Sequence, residues 1–187
     1  MTRFVYNTAS TLNGFLADDE DSLSWLFSVP GAAEAEDGMA HFLAGVGAFV
    51  IGATTYRWVL DNDERENEGS WAAAYGELSC FVVTHRALPT PAGGKVRFVS
   101  GAVDTWVADV EREAGEKDVW LVGGGDLVGQ FDDVGCLDEI RVSLAPALLA
   151  SGRPLLPRTI GSDRLRLTTV KQEGQFAELS YRVSRPV

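Results

Sequence analysis

The chain has 187 residues, with 16 Lys and Arg against 27 Asp and Glu, a net charge of −11 and 45% hydrophobic residues. A chain this long removes roughly 70% of its unfolded surface from water, so it needs no disulfide or metal to hold a core. Ordinary charge content and a mean hydropathy near zero exclude a disordered chain; a pI near 4.6 excludes a nucleic-acid-binding surface; no apolar run approaches the ~20 residues of a membrane span. Met1-Thr2-Arg3 leads into a strand-like run and not a signal peptide, and two cysteines, Cys80 and Cys136, make no disulfide framework. The expected setting is therefore reducing and cytoplasmic.

From the N-terminus, residues 3–10 read as a first strand, closed by the turn pair Asn13-Gly14. Residues 18–31 are acidic and punctuated by Gly and Pro, and read as irregular. A helix follows over 32–44, with Met39, Phe42 and Leu43 on one face. Residues 48–52 form a short continuous apolar run, the pattern of a strand buried on both faces of a parallel sheet. Thr54 is placed to cap a helix over 55–60. Residues 61–76 read as a loop, 78–84 as a third strand, 96–99 as a fourth, and 104–114 as an amphipathic helix ended by Gly115. A fifth strand over 119–122 runs into Gly123-Gly-Gly125 and a helix over 126–133, and Pro146 stops a sixth strand over 139–145. Alternating apolar and polar residues over 165–173 and 176–183, around Gly174-Gln175, predict an antiparallel hairpin. The sum is one domain with an α/β sheet and mixed edges.

The charge is uneven along the chain: residues 1–79 carry −10 and residues 80–187 only −1. A bound anion should therefore meet mainly the second part. Three turns at strand ends are suited to one. VWLVGGGDLVGQF, residues 119–131, is a buried strand ending in three glycines and opening a helix, where free N–H groups and close backbone approach favour a phosphate. It is not the Rossmann fingerprint, because Val128 stands at the third glycine position and the motif follows the fifth strand. Gly52-Ala53-Thr54-Thr55 is a second such turn, and Thr84-His85-Arg86 places a hydroxyl, an imidazole and a guanidinium at the end of another strand. Ligands of open parallel sheets collect at the carboxyl ends of strands. His41 and His85 have no partners at metal spacing and there is no nucleophile elbow, so no metal or serine-hydrolase site is expected.

The order of TASTLNGFLA (8–17), VIGATTY (50–56) and VGGG (122–125) resembles the dihydrofolate reductase superfamily. DEIRVSLAP (138–146), followed by the leucine- and glycine-containing stretch 148–156, resembles more closely the reductase domain of the bifunctional riboflavin-biosynthesis deaminase-reductase. The likeness spans nearly the whole chain, without the zinc-binding deaminase half. It implies a three-layer dihydrofolate-reductase-like fold, with a mixed, mainly parallel sheet of about eight strands, a homodimer, and an NADPH-dependent reductase of a ribosylamino-pyrimidine phosphate. The alternatives are a reductase of a pterin or another small imine or carbonyl, and a non-catalytic NADPH-binding homologue.

By that resemblance Ala9 and Leu16 touch the nicotinamide side, and Gly52, Ala53, Thr54 and Thr55 with Val122, Gly123, Gly124, Gly125, Asp126 and Leu127 hold the pyrophosphate, with a cis Gly123–Gly124 bond. Thr84, His85 and Arg86 sit near the adenosine ribose, where a 2′-phosphate would select NADPH. Asn13 and Trp25 are the candidate substrate contacts. The family pattern has a base where this chain has Ala53, commonly an Asp where it has Asn13, and Asp126 adds a negative charge beside the helix start. Hydride transfer also needs a proton, and Glu36 and Asp37, with Glu34 nearby, are the candidate donors between which the spacing does not choose.

Overall fold

Phe4, Val5 and Tyr6 are almost completely buried because the strand they begin, β1 (Phe4–Thr11), lies inside an eight-stranded sheet. The computed structural model describes residues 2–31, 36–64, 67 and 69–185. In chain order the other strands are β2 (Phe15–Ala17), β3 (Val46–Gly52), β4 (Ser79–Val83), β5 (Lys95–Val99), β6 (Asp118–Gly123), β7 (Glu139–Ala145), β8 (Arg153–Pro154), β9 (Leu165–Glu173) and β10 (Phe176–Val183). The main sheet runs β5-β4-β3-β6-β1-β7-β10-β9, and the short pair β2-β8 stands apart. Every pair from β5 to β7 is parallel, while β10 is antiparallel to both β7 and β9. This is the mixed, mainly parallel sheet ending in a hairpin that the periodicities predicted.

The helices are α1 (Ser24–Phe27), α2 (Glu36–Ala44), α3 (Ala53–Val59), α4 (Ser70–Tyr75), α5 (Val107–Ala114) and α6 (Gly125–Asp133). They divide between the two faces, as continuous apolar strands require. On one face α5 and α6 bring Val110, Val128 and Phe131 onto Phe4, Tyr6, Val50 and Leu121. On the other, α3 and α4 set Tyr56 and Trp71 against Phe49, Ile51 and Trp120, and Phe42 and Leu43 of α2 pack on the same cluster. Trp25 of α1 closes a third, smaller cluster with Val29, Ala145 and Phe176.

Several expectations change. Residues 18–31 are not wholly irregular, because the burial of Trp25 forms the single turn α1. Thr54 does not cap α3: the helix starts one residue after the strand, with Gly52 as N-cap and no side-chain cap, so Thr54 lies in its first turn. The stretch 61–76 is not a loop throughout, since α3 continues as a π turn (Leu60–Glu64) and α4 inserts Trp71 into the core, packed edge-on to Tyr56. The predicted helix over 104–114 is divided at Trp106 into a 3₁₀ turn (Val103–Thr105) and α5. Residues 32–35 of the predicted 32–44 helix lie outside the described residues.

Candidate active site

The proposed anion-binding turns lie where β3, β4 and β6 end, at the carboxyl edge of the parallel strands. The register between β3 and β6 slips just before that edge, with Val50 opposite Leu121 and Ile51 opposite Gly123. The slip bulges the chain at Val122 and delivers three glycines to the rim. Gly123 has φ 122°, a conformation that favours glycine, and the Gly123–Gly124 bond is cis. A Cβ at Gly52 would stand 3.4 Å from the Gly123 oxygen, so the turns that end β3 and β6 are in van der Waals contact. At Gly124 no atom comes within 4 Å of such a Cβ, and α6 begins there without a side-chain cap. The rim at Gly124 thus has room for a ligand beside the uncapped start of α6, and helix N-terminal amides suit phosphate oxygens.

The rest of this region is a hollow of about 320 Å³ lined by Asp21, Ala53, Thr54, Arg57, Trp58, Asp61 and Arg86. Arg86 is held by its own strand end, where its backbone N–H donates to the Thr84 hydroxyl at 2.9 Å. His85 is exposed beside it, and Thr55 is half-buried behind Thr54. A dinucleotide's phosphates and ribose fit the hydroxyl, the two guanidiniums and the neighbouring glycine turns; of the two carboxylates in the lining, Asp21 is paired with Arg153 and Asp61 lies one turn beyond Arg57.

Asp126 does not oppose this fit. Its carboxylate accepts from Gln130 Nε2 at 3.1 Å and from Arg158 Nη1 at 3.0 Å, and these contacts hold its pKa below the usual carboxylate value. A depressed carboxylate pKa contributes stability at neutral pH that is lost as the pH falls through the carboxylate range. The Asp126 side chain is 69% exposed, so Asp126→Asn is expected to cost less than about 1 kcal/mol at pH 7, with the difference from wild type shrinking as the pH falls through the carboxylate range. Urea unfolding at neutral and at acid pH checks this.

A much larger cavity, about 790 Å³, opens on the α2 face over β1, β7, β10 and β9. Its floor is built of cross-strand rows. Asn7, Arg141, Ser180 and Thr169 stand in register on four adjacent strands, and Ala9, Ser143, Glu178 and Lys171 form the next row. Leu26, Phe27, Met39 and Phe42 give it an apolar wall. Lys171 is held between Glu173 and Glu178, at 2.8 and 2.6 Å. Arg141 donates to Glu139 at 2.6 Å, with its guanidinium carbon 5.5 Å from the Phe42 ring centre. Phe27 stacks on Trp58 at 6.1 Å between centroids, so this aromatic pair separates the cavity from the smaller hollow.

The sequence-derived residues divide accordingly. Ala9 lies in the cavity floor; Gly52 to Thr55, Thr84 to Arg86 and Val122 to Leu127 gather at the strand-end rim. Leu16 sits in β2, paired to the tail strand β8, and lines neither hollow. Asn13 is part of the scaffold: its amide accepts from the Thr11 hydroxyl and the Leu149 N–H and donates to the Leu149 carbonyl. Trp25 is a core residue, 8% exposed, whose indole N–H has no acceptor among the described residues. Glu36 and Asp37 open α2 beside the cavity-lining Gly38 and Met39; their side chains, like all of Glu34, lie outside the described residues. His41, Glu139, Arg141, Lys171 and Glu178 line the cavity without any local sequence signal, because only the fold brings them together.

Residues 3–176 match the RibD C-terminal domain. The chain belongs to that family. Among curated proteins, this RibD C-terminal domain is 28% identical over 177 residues to the uncharacterized protein YwjB of Bacillus subtilis (strain 168), covering 95% of each chain. Among solved structures, a protein of Shewanella sp. PV-4 provisionally placed in riboflavin biosynthesis superposes with a TM-score of 0.78 at 24% identity, over 99% of this chain and 100% of that one. Acinetobacter baumannii RibD superposes with a TM-score of 0.68 at 18% identity, over 98% of this chain and 58% of that one. These likenesses establish the dihydrofolate-reductase-like fold of the RibD reductase domain.

Proposed function

We propose that the protein is an NADPH-dependent reductase that delivers hydride to a C=N or C=O centre of a small substrate, resembling the riboflavin-pathway 5-amino-6-(5-phosphoribosylamino)uracil reductase. The observation that carries this reading is the meeting of the two glycine turns, Gly52–Thr55 and Gly123–Leu127, next to a hollow holding Arg57 and Arg86 and beside a cavity floored by Ala9. Bound NADPH supplies the hydride. The chain's own residues bind and orient: the rim amides and Thr54 take the phosphates, and the apolar wall of Leu26, Met39 and Phe42 keeps water from the reacting centre. The proton comes from Glu36 or Asp37 at the start of α2, or from a water they order.

The cavity's charges bear on the substrate. Among the described residues three carboxylates and two cations line it, all in mutual ion pairs, so none of those cations is reserved for a phosphate. That favours the second reading, a pterin or another uncharged imine or carbonyl. NADPH oxidation followed at about 340 nm against the phosphoribosylamino-pyrimidine and against dihydrofolate separates the two. Turnover of the pyrimidine alone supports the pathway reductase, turnover of dihydrofolate supports the second reading, and NADPH binding without oxidation of either supports a non-catalytic homologue.

We also propose a cytoplasmic homodimer. The nine-residue edge strand β9 exposes Leu167 and Val170, an open edge and apolar surface that a second copy would cover. Sedimentation is expected to give twice 20.2 kDa, and a single 20.2 kDa species would contradict it.

A further inference from the structure

We infer that Arg57, together with Arg86, forms the clamp that selects the 2′-phosphate of NADPH over the free ribose hydroxyl of NADH. This inference rests on the cofactor reading above and assigns a residue that the family pattern does not supply. Position 53, where that pattern has a base, is Ala and offers the hollow no charge. Arg57 lies four residues on in the same helix, hence on the same face of α3, and enters the same hollow. The missing cation is replaced from one turn further along.

The charge inventory supports the assignment. Asp21 lines the hollow, but its carboxylate is taken by Arg153 Nε at 2.6 Å. Asp61, one turn beyond Arg57, is exposed and also lines the hollow, with no ion pair among the described residues. Among the described residues neither Arg57 nor Arg86 has an ion pair. By contrast Arg3, the other described cation of the first 79 residues, is committed to Asp118 and Glu139. The lining of this hollow of about 320 Å³ holds two guanidiniums and two carboxylates, and with Asp21 engaged by Arg153 the two guanidiniums stand against Asp61 alone. Guanidinium forks match the oxygens of a phosphate monoester in bidentate fashion. The pyrophosphate is served by the backbone amides at Gly124 and the α6 start. A substrate phosphate in the large cavity would lie beyond the Phe27–Trp58 stack.

Calorimetric titration of the full chain with NADPH, NADH, 2′,5′-ADP and 5′-AMP tests this without any turnover. Wild type is expected to bind NADPH and 2′,5′-ADP at least about tenfold more tightly than NADH and 5′-AMP, the scale of one charge-assisted contact. Arg57→Ala and Arg86→Ala should each remove about tenfold of that preference while leaving NADH affinity within about twofold, and Arg57→Lys should restore part of it. Thermal melting of each variant verifies folding. An equal loss for NADPH and NADH would move the clamp to the pyrophosphate and overturn the assignment, as would no loss in either variant. Wild type that binds none of the four nucleotides would remove the cofactor reading itself, and this inference with it.

Discussion

Gly125→Ala is expected to destabilise the protein by about 3 kcal/mol and to abolish nucleotide binding. A Cβ at this position would overlap the Leu155 carbonyl oxygen and stand 2.6 Å from that of Pro154. Both obstacles are backbone, and the segment carrying them cannot retreat. The Tyr6 hydroxyl, on a ring wholly buried in the sheet, donates to the Leu155 oxygen at 2.9 Å, and the Leu155 N–H donates to the Gly14 carbonyl at 2.8 Å. Pro154 itself pairs with Phe15 in the β2-β8 ladder. The methyl group must therefore push α6 away from the tail and displace the amides that face the rim. For a chain of this size the loss corresponds to a fall in Tm of roughly 6–12 °C. Gly45→Ala is the control: its Cβ would meet only the Phe42 carbonyl, at 3.5 Å, so its effect should stay within about 1 kcal/mol. Urea unfolding of both variants reads the contrast, and equal losses would contradict the steric explanation.

Arg164→Ala is expected to cost about 3–5 kcal/mol, because it strands a buried carboxylate. Asp132, in the last turns of α6, has a side chain only 7% exposed, and Arg164 grips it with two bonds, 2.5 and 3.1 Å, while its Nε donates to the Ser184 carbonyl at 2.8 Å. This bidentate pair ties the far end of α6 to the strand that leads into the hairpin, so both ends of the helix bearing the glycine turn are anchored. The bond to Asp132 raises the pKa of Arg164, so the guanidinium stays charged throughout the working range. Replacing both partners by apolar residues of similar volume should recover most of the loss, since the cost arises from the orphaned charge and not from a large net gain of the pair. A double-mutant cycle by urea unfolding measures this; a single variant losing less than about 1 kcal/mol would show that solvent reaches Asp132.

Residues buried on both faces were the most legible from sequence. The runs ending at Gly52, Val83 and Gly123 read correctly as parallel strands because each face of the sheet is covered by helices; the hairpin over 165–183 was legible from alternating residue types around Gly174-Gln175, although β9 itself has no buried residue. The resemblance carried by VGGG and DEIRVSLAP agrees with the family that residues 3–176 match. The helix α4 was hidden because its core anchor, Trp71, follows a run of acids that reads as solvated loop. Asn13 looked like a substrate contact because nothing in its neighbourhood announces Leu149, 136 residues away, as its partner. The cavity's charged rows were illegible for the same reason: Arg141 stands beside Asn7 and Ser180 only through the register of three strands. A charge of −11, with −10 in the first 79 residues, suggested that phosphate contacts belong to the second part of the chain. The rim glycines of α6 and Arg86 agree with that; Arg57, from the acidic part, stands in the same hollow.

The most direct test of the cofactor reading is titration of the purified chain with NADPH, followed by quenching of its five tryptophans and by the change in nicotinamide fluorescence. Saturable binding at one site per chain is expected, abolished in Gly125→Ala and weakened in Arg57→Ala. No binding by wild type at millimolar NADPH would contradict it.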